Sequence, residues 1–584
     1  MTFDLKITGG LVHDGDGGAP RRADIGVKDG LIAEIGACAA TADRTFSAEG
    51  AIVTPGFIDL HTHYDGQISW DEELRPSVNF GVTTALMGNC GVGFAPVRPN
   101  DHDRLIRLME GVEDIPGTAL HEGLTWDWES FPDYLNAIDR VPHTIDFAVM
   151  AVHDPLRVYV MGERATAEET ATEDDVKAMR ALLADALDAG AAGFSTGRTD
   201  IHRTADGDWT PGCEASVEEL VGLASVFQGR SRGVLQAVND FNLERPGDQF
   251  DDEFAVIEAF VRAGGRPASV SLMQRDFAPD QWRRILAETD RLNADGVDFR
   301  VQVAPRAIGV FNGLTCTFHP IMGQPSYQKI KDLPLEERVR IMRDPDFKAR
   351  CLAEKPVKLA VEGSSAPPIV DSFIAGIELV ANKLFRLGDP PDYEQTAEQS
   401  LGAEARREGV SAMEKLYDVC LERDGKQLIY FPVYNYTEFS YDNVRTMLTH
   451  PKALLGLSDG GAHVGTICDA SFPAYLLGYW TRDRAEGRID LGRAIQMLTA
   501  DAADHLSLVD RGRLREGLRA DINIIDYDAL SIGAPEMVRD LPAGGQRLLQ
   551  PARGFRATYV AGRQVIENDR VTDERPGRLM RFNA

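Results

Sequence analysis

No run of apolar residues in this 584-residue chain approaches the about 18–20 needed to cross a bilayer, so no membrane span is expected. Cysteine is sparse and unpatterned. The seven residues (Cys38, Cys90, Cys213, Cys316, Cys351, Cys420 and Cys468) form no CxxC pair, which excludes a disulfide framework and points to reduced thiols. Basic residues are outnumbered, 62 Lys and Arg against 91 Asp and Glu, for a formal net charge of −29. A balance this acidic repels phosphate backbones and anionic lipid, so neither nucleic acid nor a membrane surface is an expected partner. Its simplest meaning is solubility. The segment Met1–Lys6 shows neither a basic leader nor an apolar stretch, so no secretory signal is read there and a cytoplasmic protein is expected. Internal repeats and low-complexity tracts are absent as well.

What is present is ordinary globular composition, 43% hydrophobic and 26% charged, at a length too great for one simple core. The first fifty residues read as short strands broken by Gly/Asp turns, with Ala23–Val27 and Leu31–Ile35 forming a hairpin across Asp29-Gly30. The same texture returns in Ala520–Ile525, Ala557–Gly562 and Gln564–Ile566. Strands at both ends need partners, which suggests one small β-sandwich assembled from residues 1–55 and 510–584. Between them, buried-strand runs (Phe147–Val152, Ala192–Ser195, Gly233–Val238, Ala268–Leu272) alternate with helical spacing at Asp174–Ala189, Val217–Phe227 and Glu253–Ala263. Repeated β-then-α units predict an α/β protein with a parallel sheet, and their number suggests a (β/α)8 TIM-like barrel over residues 56–509. Residues from about 305 to 430 break the rhythm and read as an insertion.

Three segments carry chemistry. Thr54-Pro-Gly-Phe-Ile-Asp-Leu-His61-Thr-His63 is an apolar strand ending in His-x-His. Side chains alternate along a strand, so both imidazoles share a face, and at the mouth of a barrel they would suit zinc. Gly456-Leu-Ser-Asp459-Gly-Gly-Ala-His463 follows the strand-like Ala453–Leu455. Asp459 there could touch a metal and take a proton from water, or merely form a turn before two glycines. Gly81-Val-Thr-Thr-Ala-Leu-Met-Gly-Asn-Cys90-Gly91 delivers a thiol to the same mouth, a zinc ligand as thiolate and a small buried hydrophobe otherwise.

Together with Met109–Pro116, Trp126–Phe131, His153 with Leu156-Arg157, Gly193–Gly197, Asp510–Leu514 and Gly517–Asp521, these segments resemble the amidohydrolase superfamily, in its D-aminoacylase (N-acyl-D-amino-acid deacylase) branch, nearly end to end. The resemblance implies a (β/α)8 barrel with a composite β-sandwich and a small-molecule amide substrate. It also implies His61 and His63 as metal ligands, Cys90 as a further ligand and Asp459 as general base.

Departures from the family pattern are equally specific. The family places one histidine on its fifth barrel strand and one on its sixth. This chain has Gln236-Ala-Val-Asn239 and Ser271-Leu-Met-Gln274 there, and no histidine at all between His202 and His319. The usual three-ligand zinc site therefore cannot form as the family builds it, and one zinc per chain on His61, His63 and Asp459, with Cys90 beside them, is expected instead. The cations that hold a substrate carboxylate in the family are replaced by Asn239, Gln274 and the segment His463-Val464-Gly465. Arg198, Arg275 and Arg306 are the cations left to compensate, against a plainer reading of each as a solvated side chain. The remaining candidates for substrate contact are His153, Ser195, His202, Gln274 and His463. The expected activity is metal-dependent hydrolysis of a non-peptide C–N bond. A non-hydrolytic binding or assembly protein on the same fold, and a lyase or decarboxylase on the same metal, are the alternatives. A homo-oligomer is compatible with the sequence.

Overall fold

A computed structural model describes residues 2–167, 169–241, 247–360 and 369–583; residues 361–368 of the expected insertion lie outside them. Chain ends and chain middle form different sheets. Strands from both ends are hydrogen-bonded into one nine-stranded sheet in which Ile52–Pro55 pairs parallel with Phe3–Val12 on one side and antiparallel with Ile522–Ile525 on the other. The expected sandwich is thus one continuous sheet, and it curls. Leu31 bridges to Arg519 and Ile32 donates its N–H to the Leu518 carbonyl, which brings the strand at one end back to the middle. Leu5, Ile7, Ile25, Val27, Ile32, Val53, Ile522 and Ile524 fill the interior so enclosed.

The middle is parallel. Six strands pair in the order Ala151–Val152, Gly193–Arg198, Val234–Asn239, Ala268–Ser271, Phe299–Val303 and Ala453–Leu455. Three more, Phe57–Asp59, Val82–Met87 and Asp146–Val149, form a second parallel sheet. The run expected as one strand over Phe147–Val152 is interrupted at Met150, whose N–H turns to the Met87 carbonyl. These strands are buried on both faces, as their near-continuous Val, Ala, Leu and Phe content requires. Helices cover them in chain order. Phe131–Ile138 packs on Glu173–Ala189, that helix on Val217–Ala224, and that one on Phe250–Gly264. The longest of these starts at a capping box, Thr172 with Asp175, and stops at Gly190 with φ +112°, a left-handed backbone that glycine adopts without strain. Residues 309–432 carry a small antiparallel sheet (Gly309–Asn312, Phe385–Arg386, Ile429–Pro432) over a separate apolar cluster around Tyr327, Met342, Leu416 and Ile429. No helix among the described residues is long and apolar enough to cross a membrane.

Candidate metal centre

His61 and His63 follow the strand Phe57–Asp59, and both are buried. Backbone pairing to the far end of the parallel sheet sets their position. Thr62 bridges Gly460, His63 N–H reaches the Gly460 carbonyl at 2.8 Å, and Asp459 N–H reaches the His61 carbonyl at 3.1 Å. Ser458 ties the same two segments together, donating to Asp59 Oδ2 at 2.6 Å. Asp459 therefore stands over the two imidazoles because its turn is laced to theirs.

Cys90 arrives on the turn after Val82–Met87. Its φ is +56° and that of Gly91 is +78°, so a non-glycine residue holds a left-handed backbone at a cost of about 1–2 kcal/mol. Five contacts hold it there. Gly88 N–H donates to Asp65 Oδ2 (3.2 Å), Ser195 Oγ donates to the Gly88 carbonyl (2.6 Å) and accepts from Gly91 N–H (3.0 Å), Cys90 N–H donates to Gln236 Oε1 (3.2 Å), and Asn89 Nδ2 binds the Thr62 carbonyl (3.1 Å). Asp459 (φ +49°) and His463 (φ +49°) share the left-handed conformation. Strain of this kind gathers where side chains must be aimed.

The aim is common. His61 Nε2 lies 3.3 Å from Cys90 Sγ and 3.5 Å from Asp459 Oδ1, and His63 Nε2 lies 3.9 Å from the same Asp459 oxygen. His61, His63 and Cys90 each offer one ligand atom within 4.8 Å of the others. A tetrahedral site with bonds of about 2.0–2.3 Å has ligand-to-ligand edges of about 3.3–3.8 Å, and the 3.3 Å between His61 Nε2 and Cys90 Sγ is one such edge. The outward nitrogens face polar groups behind them. His61 Nδ1 is 2.7 Å from Gln302 Oε1, whose amide nitrogen in turn donates to Ser269 Oγ at 3.0 Å, and His63 Nδ1 is 3.2 Å from Glu113 Oε1. Burial sets the protonation. It lowers His61 to about 4 and His63 well below the usual imidazole range, raises Asp459 to about 7, and pushes the Cys90 thiol well up, with the Glu113 and Asp459 carboxylates adding to the last. Neutral imidazoles with free Nε2 lone pairs are what a cation needs; the thiol would release its proton to one.

The remaining candidates divide. His463 belongs to this cluster, with Nε2 3.4 Å from Glu113 Oε2 and its backbone N–H on the Glu113 carbonyl. His202 is close enough that the His463 and His61 charges help to lower it to about 3, after burial. His153 is enclosed elsewhere, between Thr196 Oγ1 (2.8 Å) and Glu219 Oε1 (2.9 Å). Ser195 holds the Cys90 turn, as above. Gln274 lies beyond the strand Ala268–Ser271 and binds Glu438 Oε2 at 2.9 Å. The reading of the three arginines as solvated is wrong, since all are buried. Arg198 pairs with Glu253 (3.0 Å), Arg306 pairs with Asp469 (2.9 Å) above the Tyr393 ring, and Arg275 donates to Gln281 Oε1 and the Asn239 carbonyl. Each has a buried acceptor to meet, which mean exposure statistics for Arg do not register.

Glu113 and Gln302 were missed in the sequence. Glu113 had a readable signal, an acid at helical spacing from Ile106 and Met109 on the buried face of the helix His102–Glu113. Gln302, a polar residue at an inward position of a buried strand, had a weaker one.

Known proteins resemble the chain over nearly all of its length. Residues 44–566 match the amidohydrolase family. D-aminoacylase of Alcaligenes xylosoxydans xylosoxydans is 26% identical over all of this chain and 98% of its own length. N-acyl-D-glutamate deacylase of the same organism is 28% identical over all of this chain and 97% of its own. Among solved structures, N-acyl-D-glutamate deacylase from Bordetella bronchiseptica, complexed with zinc and a phosphonate inhibitor, superimposes with a TM-score of 0.63 at 24% identity, covering both chains completely. The chain belongs to the amidohydrolase family, in its D-aminoacylase branch, and is a hydrolase of carbon–nitrogen bonds other than peptide bonds.

Proposed function

We propose that the chain is a mononuclear zinc amidase whose substrate lacks a free carboxylate. The gathering of His61, His63 and Cys90, each with a ligand atom within 4.8 Å of the others, and of Asp459 Oδ1 at 3.5 and 3.9 Å from the two imidazoles carries this reading. The two parallel sheets join into one eight-stranded barrel. Counting Asp146–Val149 and Ala151–Val152 as one strand interrupted at Met150, and the Thr62–Gly460 bridge as the closing contact, supports such a ring with these groups at its C-terminal mouth. Residues 1–55 and 510–584 then make a separate β unit.

His61, His63 and Cys90 would hold the cation and leave its fourth position open to water, with Asp459 beside that position. A zinc ion so held would supply Lewis acidity there, lowering the pKa of water and polarising the carbonyl of the scissile bond. Asp459, raised to about 7 by burial, takes the proton of the attacking water and hands it to the leaving nitrogen. On the fifth and sixth barrel strands, Gln236 and Ser269 stand inward and bind the Cys90 backbone and Gln302. They support the site from outside and add no imidazole for a second cation.

The preference for an uncharged acyl amine partner follows from the arginines. Among the described residues, Arg198 and Arg306 are committed to buried carboxylates, and Arg275 to an amide and a carbonyl. A substrate carboxylate would have to displace one of these pairings.

Metal analysis of the purified protein, with a hydrolysis screen of N-acyl D- and L-amino acids and uncharged amides, tests both parts. One equivalent of zinc, lost in His61→Ala/His63→Ala together with turnover, is expected. Two tightly held zinc ions with fast N-acyl-D-amino-acid turnover would overturn the reading.

A further inference from the structure

The two oxygens of Glu113 face two histidines, and nothing else on the helix explains the residue. Its side chain is 1% exposed. It ends the helix His102–Glu113, where the macrodipole is negative and an acid is disfavoured, and no basic residue lies in that last turn to offset it. Neither oxygen makes a hydrogen bond of good geometry, and neither does His63 Nδ1. The groups that face them are His63 Nδ1 at 3.2 Å from Oε1 and His463 Nε2 at 3.4 Å from Oε2, with Asp459 and Asp65 as like charges nearby. A fully desolvated carboxylate in this setting costs several kcal/mol unless donors meet it. The His463 backbone N–H on the Glu113 carbonyl locks the two residues in register.

We propose that Glu113 is a positioning residue shared by His63 and His463. It accepts Nδ1–H of His63 through Oε1, fixing the tautomer whose Nε2 lone pair is free for a cation held with His61 and Cys90. Through Oε2 it accepts Nε2–H of His463, tying the turn that carries Asp459 to the same anchor. This inference rests on the metal site proposed above, and it assigns His463 an anchoring role rather than a substrate contact.

The test is metal affinity in the full chain, read by competition of Zn2+ with a chromophoric chelator, together with the absorption spectrum of the Co2+-loaded protein. Loss of an outer carboxylate partner weakens metal binding by about 10- to 100-fold, and that is the result expected for Glu113→Ala. The Co2+ bands should keep their four-coordinate intensity, since no ligand is removed. Glu113→Asp should recover part of the affinity. Glu113→Gln, nearly isosteric, serves as the second probe should the alanine variant fail to fold, and is expected to bind several-fold more weakly than wild type. Affinity in Glu113→Ala or Glu113→Gln equal to wild type overturns the proposal. So does a loss as complete as that of His63→Ala with altered Co2+ band intensity, which would make Glu113 a ligand. A wild-type chain that takes up no metal overturns both this inference and the metal site, whereas wild-type uptake unaffected by Glu113 substitution overturns this inference alone.

Discussion

Replacing Ser195 by alanine separates two roles for a residue at the mouth of the parallel sheet. In the structure its hydroxyl spans the Cys90 turn, donating to the Gly88 carbonyl at 2.6 Å and accepting from Gly91 N–H at 3.0 Å. Ser195 is buried, so no solvent replaces the hydroxyl in Ser195→Ala. Two neutral backbone groups are left unpaired at about 1–2 kcal/mol each, and a combined penalty of about 2–4 kcal/mol is expected. The penalty falls on a turn that already holds Cys90 in a left-handed conformation, so it should appear as local opening more than as global unfolding. At about 1.4 kcal/mol per tenfold, amide exchange over Gly88–Gly91 should quicken by roughly 30- to 700-fold. Hydrogen–deuterium exchange of a peptide spanning this turn reads that directly. Metal affinity should fall with it, while Ser195→Thr, which keeps the hydroxyl, should change neither. Unaltered exchange at the turn in Ser195→Ala, with a raised KM, would refute the reasoning and return Ser195 to the substrate.

Two further outcomes are expected. Arg511 is buried against Asp146 Oδ2 (2.6 Å) and 3.7 Å from Asp521, so Arg511→Met should cost about 3–5 kcal/mol in urea unfolding, with Arg511→Met/Asp146→Leu recovering part of it; an unchanged midpoint would refute this. His319, lowered to about 3 by burial and then by Arg338, is neutral when folded and protonates near 6.5 when unfolded, so its contribution is present above about pH 6.5 and is lost as pH falls toward 3. Between pH 7 and 4.5, His319→Phe should lose about 2–3 kcal/mol less stability than wild type, and parallel pH curves for the two proteins would refute it.

Much of the site could be read in the sequence because its signals are local. Period-two alternation puts His61 and His63 on one face, and the glycines flanking Asp459 and Cys90 mark the tight turns that aim them. What stayed hidden is set by distant partners. Arg198 and Arg306 carry no mark of burial, because Glu253 and Asp469 lie far along the chain. Nothing near Ser195 in sequence reveals that it serves Gly88 and Gly91, across more than a hundred residues. Glu113 lies between these cases, since its helical spacing is local but the histidines that explain it are not. The α/β class followed from strand and helix alternation. The curling of the terminal sheet depends on the bridge from Leu31 to Arg519, which no window of sequence contains.

That terminal sheet also imposes an order of events on synthesis. The strand Ile52–Pro55 is made about 470 residues before its antiparallel neighbour Ile522–Ile525. At about 5–20 residues per second, the ribosome leaves that edge without its final partner for roughly half a minute or more. An open edge of Ile, Val and Thr is a template for any passing strand. Protection during this interval has to come from chaperones or from the parallel sheets forming alongside, and a ribosome stalled between the two strands would release a chain whose Ile52–Pro55 edge is made and still sticky.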